Sequence, residues 1–237
     1  MANAQRLAKY ISRCGYCSRR EAEKLIEQGE VMLNGVLTRD IISFVQDTDI
    51  VEVKGIKLSQ EEPKIWKYYK PRGLITTHKD PQNRSTVFDN IKLKSPHIIS
   101  VGRLDIESEG LLLLTNSGFL ARKLELPENN FSRKYHVKVF GKYTDSDIQK
   151  LRQGPLIDGV KYKPCRIELI KSGKVNNWFE LELFEGKNRE IRNFFKHINL
   201  KISRLIRISY GPISLGDMKT NELRRIDDLD HFIATLE

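Results

Sequence analysis

An arginine and an aspartate two residues apart lie between two apolar stretches of the sequence. Residues 102–105 read Gly-Arg-Leu-Asp, and residues 109–115 read Glu-Gly-Leu-Leu-Leu-Leu-Thr. In an extended segment alternate side chains share a face, so Arg103 and Asp105 would be neighbours. A carboxylate placed in this way can act as a nucleophile or a base. A surface ion pair at a strand end would give the same pattern, and the spacing alone does not distinguish the two.

A second group of charges follows a predicted strand. Residues 185–192 read Glu-Gly-Lys-Asn-Arg-Glu-Ile-Arg, and a helix is predicted over 188–197. Arg189 and Arg192 are three residues apart, so they would lie on one helical face. Cations at a helix N-terminus oppose the helix dipole, which points to an anionic partner. An ordinary polar first turn accounts for the spacing equally well.

A third group places an aromatic hydroxyl on a predicted strand. Residues 133–139 read Arg-Lys-Tyr-His-Val-Lys-Val, so Tyr135 alternates with two valines. An aromatic residue in such a pattern usually packs in the core. The pattern by itself therefore assigns no chemistry to Tyr135.

The elements of the first 60 residues are readable from local signals. Ser18 and Glu21 form a capping box ahead of a helix, and Gly29 is a suitable helix stop. Asn34 and Gly35 then predict a tight turn between strands. Residues 1–60 are therefore predicted to fold as two helices followed by short strands.

The predicted helices carry a basic face. Its members are Arg6, Lys9, Arg13, Arg19, Arg20 and Lys24. Such a face can follow a nucleic-acid backbone, because each cation displaces counterions from phosphates. The alternative is a solvated helix face that neighbouring glutamates partly neutralise.

The remainder of the chain follows a polar segment at 59–63 and is predicted to start at residue 64. Strands are predicted at 65–69, 98–104, 110–115, 135–140, 166–170, 178–183 and 202–208, and helices at 119–124, 144–153 and 188–197. Strands and helices alternate irregularly, which favours an α+β domain with a mixed, largely antiparallel sheet over a regular parallel array. The alternation over 179–183 predicts one wet sheet face there.

The charge and the apolar runs of the sequence indicate which kinds of partner the protein has. Lys and Arg number 41 against 31 Asp and Glu, a formal net charge of +10, and a chain this basic usually meets a polyanion. A solubilising surface charge is the alternative. The longest apolar run, at 111–114, is too short to cross a bilayer, and no apolar run follows Met1. We therefore expect a cytoplasmic protein without a membrane partner.

The cysteines predict neither a disulfide framework nor a metal site. Cys14 and Cys17 form a C-x-x-C pair, but Cys165 stands alone and the histidines show no paired ligand spacing. A structural zinc site needs about four ligands in matched pairs. We expect two ordinary small residues between helices and no bound metal.

Two resemblances cover almost the whole chain. The first segment, through 6–9, 15–22, 25–31 and 34–35, resembles an S4 RNA-binding domain. The remainder resembles the catalytic domain of pseudouridine synthases, specifically the S4-containing family that modifies ribosomal RNA. The motifs that carry this likeness lie at 69–73, 102–105 with 109–116, 134–137, 185–192, 204–207 and 210–213. Lys187 departs from it, since arginine is common there.

The resemblance implies the chemistry and its residues. It implies that a uridine is isomerised to pseudouridine, an isomerase reaction without a redox step that requires no cofactor. Asp105 would be the catalytic carboxylate and Arg192 the cation paired with it. Tyr135 would be a further catalytic residue that lies against the uracil and takes part in proton transfer. Arg103 would fill the space that the flipped uridine leaves or brace the flipped nucleotide. Lys70 and Arg189 would contact phosphates.

The resemblance also implies a partner, ribosomal RNA or a pre-ribosomal particle, and a role in ribosome biogenesis for a monomer. Residues 139–141 and 202–207 look most like the members that act on large-subunit (23S) rRNA, with small-subunit rRNA as the alternative. A non-catalytic S4-type ribosome-associated RNA-binding protein is a rival, although it would need no Asp105, Tyr135 and Arg192 together. A methyltransferase is a second rival, but the sequence has no G-x-G-x-x-G run.

Overall fold

The computed structural model describes residues 4–46, 48–91, 93 and 98–227. The chain divides into two compact units. The first holds the described residues up to Ile65 together with 93, 98–99 and 114–121, and the second holds the rest. Each unit is described by itself.

The N-terminal part of the first unit has two helices and six short strands. These are Gln5–Arg6 (β1), Leu7–Arg13 (α1), Arg19–Gln28 (α2), Val31–Leu33 (β2), Val36–Thr38 (β3), Phe44–Val45 (β4), Val51–Val53 (β5) and Ile56–Lys57 (β6). Strands β3, β2, β5 and β6 form an antiparallel sheet in that order, and β1 pairs with β4. Leu7, Ile11, Ile26 and Val31 are fully buried between helices and sheet.

Three local predictions are confirmed in this unit. The Ser18 hydroxyl accepts from the Glu21 N–H, and the Glu21 carboxylate accepts from the Ser18 N–H, as a capping box requires. Gly29 ends α2 with a left-handed φ of 76°. Asn34 and Gly35 both have positive φ, the conformation of the tightest hairpin turn.

The described residues from 65 to 227 contribute eleven strands and four α-helices. The strands are Ile65–Lys70 (β7), Ile99–Val101 (β8), Glu109–Thr115 (β9), Arg133–Phe140 (β10), Leu156–Ile157 (β11), Val160–Lys161 (β12), Arg166–Lys171 (β13), Asn176–Leu183 (β14), Lys201–Tyr210 (β15), Ile213–Ser214 (β16) and Leu223–Ile226 (β17). The helices are Val87–Asn90 (α3), Gly118–Glu125 (α4), Asp145–Arg152 (α5) and Glu190–His197 (α6).

One large mixed sheet organises these elements. Its order is β13-β14-β10-β15-β9-β7-β17, with β16 beside β15 and β8 beside β9. Strand β10 pairs antiparallel with β14 and with β15, whereas β15 and β9 are parallel. Buried and half-buried residues alternate along β14, so one face of the sheet is partly open to solvent there, as predicted. The other face packs against α5 and α6 through Leu151, Phe194 and Phe195.

A glycine permits the parallel pairing of β9 and β15. Gly110 has a φ of 103°, and a Cβ at this position would lie 2.3 Å from the carbonyl oxygen of Arg207. No other residue type fits this close backbone approach without a shift. Gly110 thus sets the position of Arg207 relative to β9.

Two of the differences between predicted and observed bounds affect the charged residues of the candidate site. The strand expected over 98–104 ends at Val101, because Gly102 adopts a left-handed φ of 66°. Arg103 and Asp105 therefore lie on a loop, and the prediction of extended, alternating side chains was wrong. The helix expected from 188 starts at Glu190, since Arg189 also has a left-handed φ, 52°. Arg189 thus precedes the helix that carries Arg192.

Candidate active site

Asp105 lies on a loop that joins β8 to β9 and is held at several points. The Gly102 N–H donates to the Glu125 carboxylate at 2.6 Å. The hydroxyl of Thr76 donates to the Leu104 carbonyl at 2.9 Å and accepts from the Leu104 N–H. The side chain of Leu104 is buried, so its packing also fixes the loop. The loop therefore presents Asp105 from a defined backbone position.

Lys70 holds the same loop from the inside of the fold. Its side chain is fully buried, and Nζ donates to the carbonyl oxygens of Pro71, Asp105 and Ser108 at 2.9, 3.2 and 2.8 Å. Burial lowers the pKa of Lys70 to about 8, although the neighbouring carboxylates, Asp105 first, oppose this shift. A group so enclosed cannot reach a phosphate, so the predicted phosphate contact is corrected to an anchor of the Asp105 loop.

Two arginines converge on the Asp105 carboxylate. Arg192 Nε and Arg189 Nη1 each lie 3.4 Å from Asp105 Oδ2. Arg192 also donates Nη2 to the Ser108 hydroxyl at 3.2 Å, so it bridges both ends of the Asp105 turn. Burial lowers the pKa of Arg192, and Asp105 opposes that shift. The pairing expected for Arg192 is present, and Arg189 joins it instead of standing apart.

A cavity of about 290 Å³ opens in front of Asp105. This volume is near the lower end of the range for small-molecule sites. Five of the predicted site residues line it together: Arg103, Asp105, Tyr135, Arg189 and Arg192. The side chain of Asp105 is 37% exposed, so the carboxylate is open to the cavity although it is paired.

Tyr135 and Arg207 are neighbours across the β10–β15 pairing, and both line the cavity. Arg207 is only 3% exposed. Its Nε donates to the Leu111 carbonyl at 2.7 Å, whereas its buried Nη2 has no hydrogen-bond partner within the described residues. A buried cation without a carboxylate partner is costly, so this group favours an electron-rich ligand.

Tyr210 forms the wall beside Arg207. Its hydroxyl donates to the Leu124 carbonyl at 2.9 Å and accepts from Arg133 Nη2 at 2.9 Å. The guanidinium carbons of Arg133 and Arg207 lie 4.7 and 5.2 Å from the centre of its ring. Tyr210 therefore fixes two cations at this side of the cavity.

A buried carboxyl group completes the lining. Glu190, the first residue of α6, is 4% exposed. Its Oε2 accepts from the Lys187 N–H at 3.2 Å, while Oε1 has no partner within the described residues. Burial, and then the nearby Glu185, raises the pKa of Glu190 to about 7. Glu190 is therefore a buried carboxyl group with a raised pKa, and it lines the cavity together with Asp105, Glu125 and Glu185.

Comparison with protein families identifies both parts of the chain. The RNA pseudouridylate synthase family matches residues 64–197, and the S4 domain matches residues 5–51. The chain belongs to the RNA pseudouridine synthase family. It is therefore an isomerase that acts on RNA, and the predicted combination of an S4 domain with a mixed α+β catalytic domain is confirmed.

Relatives extend this assignment over nearly the full length. An RNA pseudouridine synthase of Rickettsia felis is 50% identical over 94% of this chain and 97% of its own. Proteins named ribosomal large subunit pseudouridine synthase B are 36% identical in Yersinia pestis and 38% in Escherichia coli O6:H1. They match 95% and 90% of this chain, and 77% and 75% of their own.

A solved structure has the same fold. The crystal structure of a pseudouridylate synthase superposes with a TM-score of 0.68 at 24% identity, covering 98% of this chain and 99% of that one. This likeness supports the fold alone.

The cavity suits the chemistry of an RNA pseudouridine synthase. Isomerisation breaks the bond between uracil N1 and the ribose and joins uracil C5 to the same carbon, so it needs an anionic side chain beside the ribose. Asp105 is a carboxylate that lines the cavity, and nitrogens of Arg189 and Arg192 each lie 3.4 Å from its Oδ2.

The basic face of the S4 domain is solvent-exposed. The exposed members are Arg6, Lys9, Arg13, Arg19, Arg20 and Lys24. Arg6 caps α1 instead of lying within it, and Arg13 Nη1 donates to the Gln5 side chain at 3.0 Å. Contact of this face with RNA stays a prediction.

Cys14 and Cys17 fit the expected place between helices. Burial raises the pKa of both thiols to about 11, which disfavours the thiolate that a metal would need. Within the described part of the chain, no three metal-ligating side chains are grouped. A helix with the length and apolar character to cross a membrane is likewise absent from those residues.

Sequence reasoning missed three parts of the RNA pseudouridine synthase site. Ser108 follows Asp105 by three residues, and this short spacing could have indicated that both side chains belong to one turn. Arg207 stood in the recognised run 204–207 without a role. Glu190 had no assigned role, because nothing in the spacing reveals that its carboxyl group is buried.

Proposed function

We propose that this protein isomerises one uridine of large-subunit ribosomal RNA to pseudouridine. The relatives at 36–38% identity that carry the large-subunit name match at least nine-tenths of this chain, which supports that substrate class. The observation that carries the catalytic part is the Asp105 carboxylate, paired with two arginines at the wall of a nucleotide-sized cavity.

In this proposal the target uridine leaves its stack and enters the cavity, since its glycosidic bond is out of reach in a helix. Asp105 acts on the ribose or the base while Arg192 and Arg189 hold its carboxylate in place. Arg103, which is exposed at the rim, occupies the vacated space in the RNA. Tyr135 lies against the uracil ring opposite the Asp105 loop.

Cleavage of the glycosidic bond leaves negative charge on the uracil, spread over its ring and carbonyl oxygens. Cations held in a water-poor cavity stabilise such charge more than they would in bulk water. Arg207 supports this step, because its guanidinium is fixed by Leu111 and carries an unused donor. The S4 domain supplies affinity through its basic helical face. We expect the enzyme to act as a monomer in the cytoplasm.

The direct test uses tritium at uracil C5. Formation of pseudouridine replaces the C5–H bond with a C–C bond, so tritium passes to water. Separate transcripts of 23S and 16S rRNA labelled in this way would be incubated with the protein, with chelator present and no cofactor added. We expect one equivalent of tritium from the 23S transcript and none from the 16S transcript. Release from the 16S transcript instead would overturn the substrate, and dependence on added metal would overturn the mechanism.

A further inference from the structure

We infer that a basic groove along one face of α6 holds the RNA strand immediately beside the flipped uridine. The inference deepens the proposed function and rests on it for the identity of the substrate. The groove has a volume of about 410 Å³ and is lined by Arg189, Arg192, Lys196 and Lys201, over the apolar side chains of Leu200 and Ile202.

The groove is continuous with the catalytic cavity. Arg189 and Arg192 line both, and they are the two residues that reach Asp105. A nucleotide whose ribose lies at Asp105 would thus bring an adjoining phosphate to these arginines. The next phosphate would lie farther along the groove.

The cations are spaced along that direction. Lys196 follows Arg192 by four residues, so the two lie on one face of α6, about 6 Å apart along its axis. Lys201 lies at the start of β15, just beyond the end of α6. The cations therefore extend from the catalytic carboxylate outward instead of clustering around it.

The outer part of the groove carries cations that the protein does not neutralise. None of the residues that line the groove is acidic. Arg189 and Arg192 pair with Asp105 at the inner end, whereas Lys196 and Lys201 have no carboxylate within 4.0 Å among the residues that the structure describes, and both lysine side chains are exposed. Two unpaired lysines over an apolar floor suit the phosphates and sugars of one strand.

Stabilisation of the helix is the competing explanation for Lys196. A cation in the last turn of a helix interacts favourably with the helix dipole. That effect explains neither Arg189 and Arg192, which stand at the opposite end of α6, nor Lys201, which belongs to a strand. Lys150 provides the control, because it lies exposed in the last turn of the eight-residue helix α5 and does not line the groove.

The first experiment measures binding of a labelled rRNA fragment as a function of salt. Each lost contact to a single strand lowers the slope of log K against log salt by about 0.7. We expect K196Q/K201Q to lower the slope by about 1.4 and K150Q to leave it unchanged. Equal slopes for K196Q/K201Q and K150Q would overturn the groove. This binding measurement stands even if no tritium is released, so it is separable from the proposed reaction.

The second experiment locates the strand. Fragments shortened on the 5′ or on the 3′ side of the target uridine would be assayed for turnover. With the full fragment, we expect the loss in K196Q/K201Q to appear in KM instead of kcat. With the fragment that lacks the strand in the groove, wild type and K196Q/K201Q should have the same KM. If the ratio of the KM of K196Q/K201Q to the KM of wild type is the same on every fragment, a contact with the flanking strand is refuted.

Discussion

Arg192 touches both ends of the turn that carries Asp105. Its Nε lies 3.4 Å from Asp105 Oδ2, and its Nη2 donates to the Ser108 hydroxyl at 3.2 Å. The same turn is held from the opposite side by Lys70, which donates to the carbonyls of Asp105 and Ser108. A half-buried arginine and a fully buried lysine thus fix a short loop, the arginine through the loop's side chains and the lysine through its backbone.

Asp105→Ala should reduce tritium release by more than about 10³-fold, because it removes the carboxylate that the proposal places at the ribose. RNA affinity should stay within about threefold, since most affinity comes from phosphate contacts elsewhere. Glu107→Gln is the matched control, as Glu107 lies in the same loop, pairs with Arg72 and does not line the cavity. Normal turnover by Asp105→Ala would remove the catalytic assignment.

Arg192→Lys should lower kcat by roughly 10- to 100-fold although the charge is kept. A single ammonium cannot contact Asp105 and Ser108 in the geometry of the planar guanidinium. Arg189→Lys should cost less, because Arg189 makes one contact with Asp105 and its side chain is 52% exposed. Single-turnover kinetics on saturating RNA would compare the two. An equal loss in both variants would mean that the bridge to Ser108 contributes nothing.

The S4 face should contribute affinity through charge alone. Changing Arg19, Arg20 and Lys24 to Gln together should lower the slope of log K against log salt by about 2 and raise KM. Lys54→Gln with Lys57→Gln is the comparison, because these exposed lysines belong to the same unit but lie outside its helices. Binding curves over a salt series would distinguish them. If the triple variant keeps the wild-type slope, the face is only a solvated one.

Local signals predicted the small elements of this fold well. The capping box of Ser18 and Glu21 and the turn at Asn34 and Gly35 depend on residues within four positions of one another, so the sequence contains all that determines them. The loop at Gly102 was missed because leucine and valine around it also suit a strand. In the structure β8 ends at Val101 because Gly102 adopts a left-handed φ, which the neighbouring residue types do not indicate.

The candidate site was predictable in its residues but not in its arrangement. The resemblance placed Asp105, Tyr135 and Arg192 together, and the structure brings them to one cavity. Buried Lys70 donates to the carbonyls of Asp105 and Ser108, which are 35 and 38 residues away in the chain. Buried Arg207 donates to the carbonyl of Leu111 on β9, which is 96 residues away. No spacing rule within a single sequence conveys such long-range contacts.

Lys70→Met should destabilise the fold by about 2–4 kcal/mol, because it leaves three carbonyls, one of them in a buried hydrogen bond, without their donor. It should also lower kcat, since Asp105 loses its backbone anchor. Lys67→Met is the control on the same strand, where Nζ donates to a single carbonyl, that of Ser214. Urea denaturation and turnover would be measured for both. A Lys70→Met protein as stable and active as Lys67→Met would contradict the anchoring role.

Glu190 should make stability depend on pH. Its pKa of about 7 lies above the ordinary value of 4.5, so the folded protein binds this proton more tightly than the unfolded chain does. Stability from this group is then fully present below about pH 4.5 and is lost as the pH rises toward about 7. Glu190→Gln cannot titrate, so its stability relative to wild type should rise by about 1–3 kcal/mol across this window.

Urea denaturation at about pH 5 and about pH 8 would measure that difference. The charged and titratable groups near Glu190 are Glu185, Lys187 and Cys165, and they are unchanged in the variant. Glu168→Gln, an exposed position on β13, controls for the loss of one negative charge. Parallel behaviour of the two variants would mean that Glu190 is already ionised at neutral pH. In that case Glu190 would add a further negative charge to a cavity that Asp105, Glu125 and Glu185 also line.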